Sequence, residues 1–314
     1  MDTFLFSANC VLPLLLLMVV GYVLRLLGVV SESFVKQANQ FCFKVTLPVQ
    51  LFGNIYKQDL THLAEGRLIA FTVLAILAVV ALLWLLLPRL EKDGPACAAE
   101  IQGIFRGNFL IFGLPLAINM FGEEGAFPTA LLLPVAIPVY NVLAVITLAR
   151  FSGSGEKVQP KKVLLNIAKN SLVIASVLGI AVSLTGIPLP TFVTKSVDTV
   201  GAAATPMALM MLGAQFDFSK LKGNLRKGLL CTAARLIIVP LAVMSLAIAL
   251  GFRGPHLGAI FILFCAPTAV SSYVMAQNMG ADSDLAGQLV VLTTLFSSLT
   301  LFLQTALLRG MGWI

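Results

Sequence analysis

Charge is what this chain lacks most. Only 11% of its 314 residues are Asp, Glu, Lys or Arg, while 59% are hydrophobic. An ordinary soluble domain carries roughly 25% charged residues. A soluble core this apolar would have almost no wettable surface, so the shortage excludes a water-soluble globular protein. Histidine is nearly missing too: His62 and His256 are the only two, and neither has a ligand-like neighbour. The five cysteines (Cys10, Cys42, Cys97, Cys231 and Cys265) lie far apart in apolar surroundings with no CxxC. That spacing suggests neither a disulfide frame nor a thiolate metal site. No HExxH, GxSxG or Walker motif occurs. The sequence therefore points to no enzyme and no ATP-driven pump, and no metal or cofactor is expected. The stretch from Phe4 follows Asp2, with no basic n-region and no small-residue cleavage site. It reads as a first membrane helix rather than a cleaved signal.

What is present is a series of apolar runs, each near the roughly 20 residues needed to cross a hydrocarbon core of about 30 Å. Ten spans are expected, at 5–27, 34–56, 68–88, 96–121, 126–150, 163–185, 190–215, 228–250, 256–278 and 284–308. The net charge of +7 resides mostly in the loops between them, which argues against nucleic acid as a partner. Loops after odd-numbered spans hold 13 Lys and Arg residues, among them Arg25, Lys36 and Lys169; the other loops and tails hold 5. By the positive-inside rule the odd loops are cytoplasmic and both termini are outside a plasma (inner) membrane. "FSGSGEKVQPKK", residues 151–162, reads as a short cytoplasmic linker between a first half, 1–150, and a second, 163–314.

The halves echo each other. "TLPVQLFGNIYKQDLTHL" aligns with "ATPMALMMLGAQFDFSKL" on Pro48 and Pro206, and "FLIFGLP" with "FILFCAP" on Pro115 and Pro267. Five spans per half is an odd number, so the halves would be inverted, a common plan of secondary transporters. "FRGNFLIFGLPLA" sets Arg106, Gly107, Asn108, Gly113 and Pro115 inside an apolar run. Proline removes a backbone donor and glycine loosens a helix. Unwound backbone is tolerated in a bilayer only where protein buries it or it lines a wet cavity. Matching breaks near Pro115 and Pro267 therefore predict a binding site between spans four and nine. The half-helices that restart there present N–H groups and a positive dipole end, which favours an anion.

"GNFLIFGLPLAINMFGEEG", "TPMALMMLGAQF" and "APTAVSSYVMAQNMGADSDLA" resemble the auxin efflux carrier family, which includes plant auxin carriers and bacterial members linked to malonate or malate. The resemblance runs over essentially the whole chain. It implies ten helices in two inverted five-helix repeats, with a crossover of broken helices four and nine. It also implies elevator-type alternating access, with helices one, two, six and seven as scaffold and the others as a moving transport domain. A homodimer through the scaffold is implied in the same way. Asn108 matches the family asparagine seven residues before the helix-four proline, which helps hold a substrate carboxylate. Pro115 and Pro267 match crossover positions. This chain departs from plant members in its short central loop and in Arg106, two residues before that asparagine.

Arg106 would lie about 15 Å into an untilted helix, near mid-bilayer. A charge there is costly and needs a partner or a wet cavity. It reads either as a two-donor clamp on a carboxylate or as a structural partner of Glu100. Lys44 and Arg235, also within spans, read as snorkelling or structurally paired. Glu100 and Asp198 are candidates for ion coupling, although both stand near helix starts. Asn108, Asn141, Thr268, Ser271 and Ser272 offer amides and hydroxyls around the breaks that suit a carboxylate or bond between helices.

The chain is thus expected to be an all-α polytopic membrane protein and a secondary transporter. It would move a small organic anion, a mono- or dicarboxylate, with the bilayer as its setting and a proton or sodium ion as an unassigned coupling partner. Two rival readings stand beside this one: a sodium-coupled symporter of a bulkier amphipathic anion, and an anion sensor that does not transport.

Overall fold

Two short helices at the centre of the computed structural model organise the rest. The structure describes residues 2–57, 65–152, 169, 171–215 and 225–314. In chain order the helices are α1 Asp2–Leu26, α2 Glu32–Phe41, α3 Leu47–Tyr56, α4 Gly66–Leu90, α5 Gly94–Phe105, α6 Phe109–Gly125, α7 Phe127–Phe151 and α8 Ser171–Thr185. They continue as α9 Thr191–Ala202, α10 Ala204–Ala214, α11 Leu225–Ala233, α12 Val239–Ala249, α13 Gly254–Cys265, α14 Ser271–Asn278 and α15 Ser283–Gly310. Five-residue π-turns, Cys42–Thr46 and Ala234–Ile238, join α2 to α3 and α11 to α12. Among the described residues, six helical stretches are long and apolar enough to cross a membrane. The linker at 153–162 and the echoing "DLTHL" and "DFSKL" lie outside the described residues.

The long helices follow directly from their sequence. Gly66–Leu90 is almost wholly apolar, with a mean hydropathy of 2.9, and its outer face leaves Leu74, Leu82 and Leu85 exposed where a bilayer would cover them. Pro88 falls in its last turn and Arg89 lies beside the negative helix end. Close helix packing relies on glycine. A Cβ at Gly21 of α1 would overlap the Met210 backbone of α10, and one at Gly213 would overlap the Met18 backbone of α1. These reciprocal small-residue contacts bring the two helices backbone to backbone, the mode that works where lipid removes the hydrophobic drive. α3 packs on α8, while α4 to α7 pack among themselves and with α11 to α15.

α5 and α13 are the most enclosed elements. Every residue from Ala96 to Phe105 is buried, and so is every residue from Leu257 to Cys265. Each starts on a Gly-Pro pair, Gly94–Pro95 and Gly254–Pro255, with proline placed where its missing N–H costs nothing. Gly254 follows Gly94 by 160 residues, and the same interval carries the helix starts at Glu32 and Gly66 onto those at Thr191 and Leu225 to within one residue. This spacing differs from the alignment on prolines. It sets Pro267 opposite Gly107, not opposite Pro115. Gly113 and Pro115 accordingly lie inside α6, and the span-four break comes earlier, at Arg106–Asn108.

Candidate functional site

The two breaks meet. Gly107 and Thr268 form an isolated antiparallel bridge. The Asn108 N–H donates to the Pro267 carbonyl at 2.6 Å, and the Ala269 N–H to the Arg106 carbonyl at 3.0 Å. Helix ends leave up to four carbonyls without partners, and inside a membrane each needs one. For α5 the partners can be assigned one by one. Gln102 O accepts from Arg106 N–H at 3.0 Å. Gly103 O accepts from the Thr268 hydroxyl at 2.7 Å. Ile104 O and Phe105 O accept from Arg235 Nη1 at 3.2 and 3.1 Å. Irregular backbone at this depth is thereby kept from costing the fold.

A cavity of about 1770 Å³ opens beside this crossing. Both breaks line it, the first through Arg106, Gly107 and Asn108 and the second through Ala269, Val270 and Ser271. Arg25, Lys36, Lys44 and Lys169 also face it, against one acid among the described residues, Glu32. That acid is already paired with Arg25 at 3.6 Å, so the cavity carries a surplus of positive charge. Charge of one sign in a low-dielectric cleft concentrates counter-ions of the other.

Arg106 is the innermost of these cations in burial, at 7% exposure. Its Nη1 donates to Met275 Sδ and its Nη2 to Asn141 Oδ1, each at 2.5 Å. Both acceptors are neutral. Among the described residues no carboxylate pairs with Arg106, so the expected partner Glu100 is not one. Asn108, 6% exposed, has no hydrogen-bond partner on its Nδ2. A buried guanidinium, an unpartnered amide donor and a restarting helix end therefore share one wall.

Of the other residues expected at the site, Asn141 and Ser271 line the cavity with Arg106 and Asn108. Thr268 and Ser272 do not; they are 0% and 1% exposed, and the Thr268 hydroxyl is engaged by Gly103. Pro267 serves the crossing through its carbonyl. Glu100 is buried in α5 outside the cavity lining. Asp198 is half-exposed and pairs with Lys57 at 2.8 Å, which makes it a surface ion pair rather than a group within the bundle. Lys44, read as snorkelling or structurally paired, is exposed and faces the cavity from the first π-turn. Such turns break helical periodicity and recur at functional sites. No signal in the sequence marks the π-turn itself.

Apolar helices of membrane-crossing length, two broken helices crossing at the centre and a positively charged cavity against the crossing define a membrane transporter. Comparison with known proteins agrees. The family described as membrane transport protein matches residues 6–305, and the chain belongs to that family. The likeness to auxin efflux carriers noted from the motifs therefore holds. Among its relatives is an uncharacterised transporter of Methanothermobacter thermautotrophicus, 24% identical over 309 residues, which cover 97% of this chain and 99% of the relative. Another, from Methanocaldococcus jannaschii, is 26% identical over 317 residues, 98% of each chain. A Rhizobium meliloti protein named "Putative malonate transporter" is 26% identical over 298 residues, 92% of each chain.

Proposed function

We propose that this protein is a secondary transporter of a small organic anion, a mono- or dicarboxylate, bound at the crossing of the two broken helices. The observation that carries this reading is Arg106: buried, facing the cavity, bonded to two neutral acceptors and matched by no acid. A carboxylate is the complement that a guanidinium fork recognises through two parallel hydrogen bonds. Asn108 Nδ2 supplies a further donor. Asn141 orients the fork, Ser271 lines the same cavity, and the amides opening α6 add a positive dipole end.

The architecture in this reading is ten membrane helices in two inverted five-helix repeats, moving as an elevator. The 160-residue recurrence of helix starts supports the repeat. Support for a division into scaffold and moving part comes from the close packing of α1 on α10 and of α3 on α8, none of which packs directly on α5 or α13. The cavity is rimmed by Arg25, Lys36 and Lys169, which the positive-inside rule assigns to the cytoplasmic face of the plasma membrane. The named relative makes malonate the first probe. A bulkier amphipathic anion is the second reading, because 1770 Å³ exceeds the needs of a small dicarboxylate.

Thermal-shift binding on purified protein with malonate, other carboxylates and an amphipathic anion, with Arg106→Ala in parallel, tests both. A carboxylate that raises the melting temperature of the parent and not of the variant is the expected result. If none does so, or if the variant responds equally, the clamp is wrong.

A further inference from the structure

Arg235 is the largest fully buried side chain in the protein, at 0% exposure, and the anion site does not use it. It projects from the second π-turn, where the wider turn changes the direction in which a side chain leaves the helix. Its Nε donates to Ala266 O at 2.9 Å, Nη1 to Ile104 O and Phe105 O, and Nη2 to Leu263 O at 3.3 Å. Two acceptors end α5 and two end α13. Among the described residues it has no carboxylate partner; Tyr140 and Cys265 stand beside it.

The negative dipole ends of both central half-helices therefore converge on one guanidinium. Four carbonyl oxygens are spread along the edges of this one guanidinium, which meets them as a wide, flat donor rather than as a point charge. Gly107 makes the seat: a Cβ there would overlap Arg235 Nη2 and approach Leu263 O.

We propose that Arg235 is a built-in cation that holds the two broken helices together, filling by covalent attachment the place between two negative helix ends that would otherwise draw in a free cation. The crossing then keeps its charge balance in every state of the protein. Anion binding at the neighbouring Arg106 face needs no sodium at this point. Only that last consequence rests on the proposed anion site.

The test uses purified parent, Arg235→Met and Arg235→Lys, with no carboxylate present, melted in sodium chloride and in choline chloride. The parent is expected to melt alike in both salts. Arg235→Met, neutral and of similar length, should melt lower by about 10 °C. Sodium should restore part of that loss and choline none. Arg235→Lys, which keeps a charge but loses the fork, should fall between them. Three results would each overturn the proposal: Arg235→Met melting with the parent, Arg235→Lys no better than Arg235→Met, or sodium raising the parent as much as the Met variant. Should Arg235→Met yield no folded protein, Arg235→Lys decides: a folded Lys variant supports a required charge, and its equal failure removes it. Because no anion takes part, loss of the carboxylate reading and loss of this one are separate results.

Discussion

Arg106 and Arg235 carry the same charge within the same bundle and are almost equally hidden, at 7% and 0% exposure, yet their surroundings are opposite. Arg235 directs its donors at four helix-end carbonyls and faces no cavity. Arg106 faces the cavity and has a thioether and an amide as acceptors. One cation is consumed by the architecture and the other is held open. The difference lies in the helix ends. Arg235 reaches four C-terminal carbonyls, which attract a cation, whereas Arg106, between the end of α5 and the start of α6, turns its guanidinium from those carbonyls to two neutral side chains. A buried guanidinium that meets neither an acid nor a helix-end carbonyl is poised for an anion. It follows that stability should depend on Arg235 and binding on Arg106, and that separation can be attacked from both sides.

The largest effect is expected from a residue that is neither arginine. In Gly107→Ala the new methyl group would push the Arg235 guanidinium out of its seat without removing any charge. Breaking a buried, hydrogen-bonded charge from its partners costs about 3–5 kcal/mol. The melting temperature should therefore fall about as far as in Arg235→Met. A Gly107→Ala protein as stable as the parent would show that the carbonyl contacts are dispensable.

Arg106→Gln tests the other side. It removes a buried charge that has no acid partner, so the ligand-free protein should melt within the equivalent of about 1 kcal/mol of the parent. Carboxylate affinity should fall about 100-fold, the loss expected when one member of a buried charge pair is truncated. Titration calorimetry measures the second and a melt the first. A large stability loss with unchanged affinity would exchange the roles assigned to the two arginines.

Next in size is Asn141→Ala. Asn141 is the side-chain oxygen that holds Arg106 Nη2, and a hydrogen bond to a charged group contributes about 1.5–3 kcal/mol. Without it the fork loses its orientation and affinity should drop about tenfold. Tighter binding would instead make Asn141 a competitor for the fork.

The sequence disclosed one of these arginines and concealed the other, for a physical reason. Arg106 is legible because its neighbours are: glycine and asparagine beside a charge in an apolar run announce a break, and a break in a membrane announces a cavity. Asn108, Asn141 and Ser271 were readable as polar groups near that break. Arg235 has apolar residues on either side of it along the chain, and its acceptors are backbone atoms, two about 30 residues on at the end of α13 and two about 130 residues back in α5. Carbonyls have no letter in a sequence. The break was misplaced for a related reason. Pro115 looked like the helix breaker, but α6 absorbs it, and the helix had already ended at Phe105. The Gly-Pro pairs at positions 94 and 254 would have given the correct register. They mark starts, which proline favours, rather than interruptions.

The smallest effect belongs to a cation at the water's edge. Lys227 opens the same span as Arg235 and pairs with Glu91, the residue that caps the end of α4. Glu91 is held below the usual carboxylate range by the hydrogen bond from Lys227, with the Asp93 N–H adding a second bond at 2.9 Å. A depressed carboxylate stabilises the fold at pH values above its ordinary range, and that stability is lost as the pH falls through the folded value. Lys227 is 37% exposed, so water screens the pair and its worth is about 0.5 kcal/mol. Glu91→Gln should therefore melt slightly below the parent at neutral pH, and the gap should close as the pH drops below about 4. Raising the salt concentration should close it as well, because an exposed pair is screened while Arg235 and its carbonyls are not. A loss from Glu91→Gln as large as that from Arg235→Met would mean that burial is not what separates these cations.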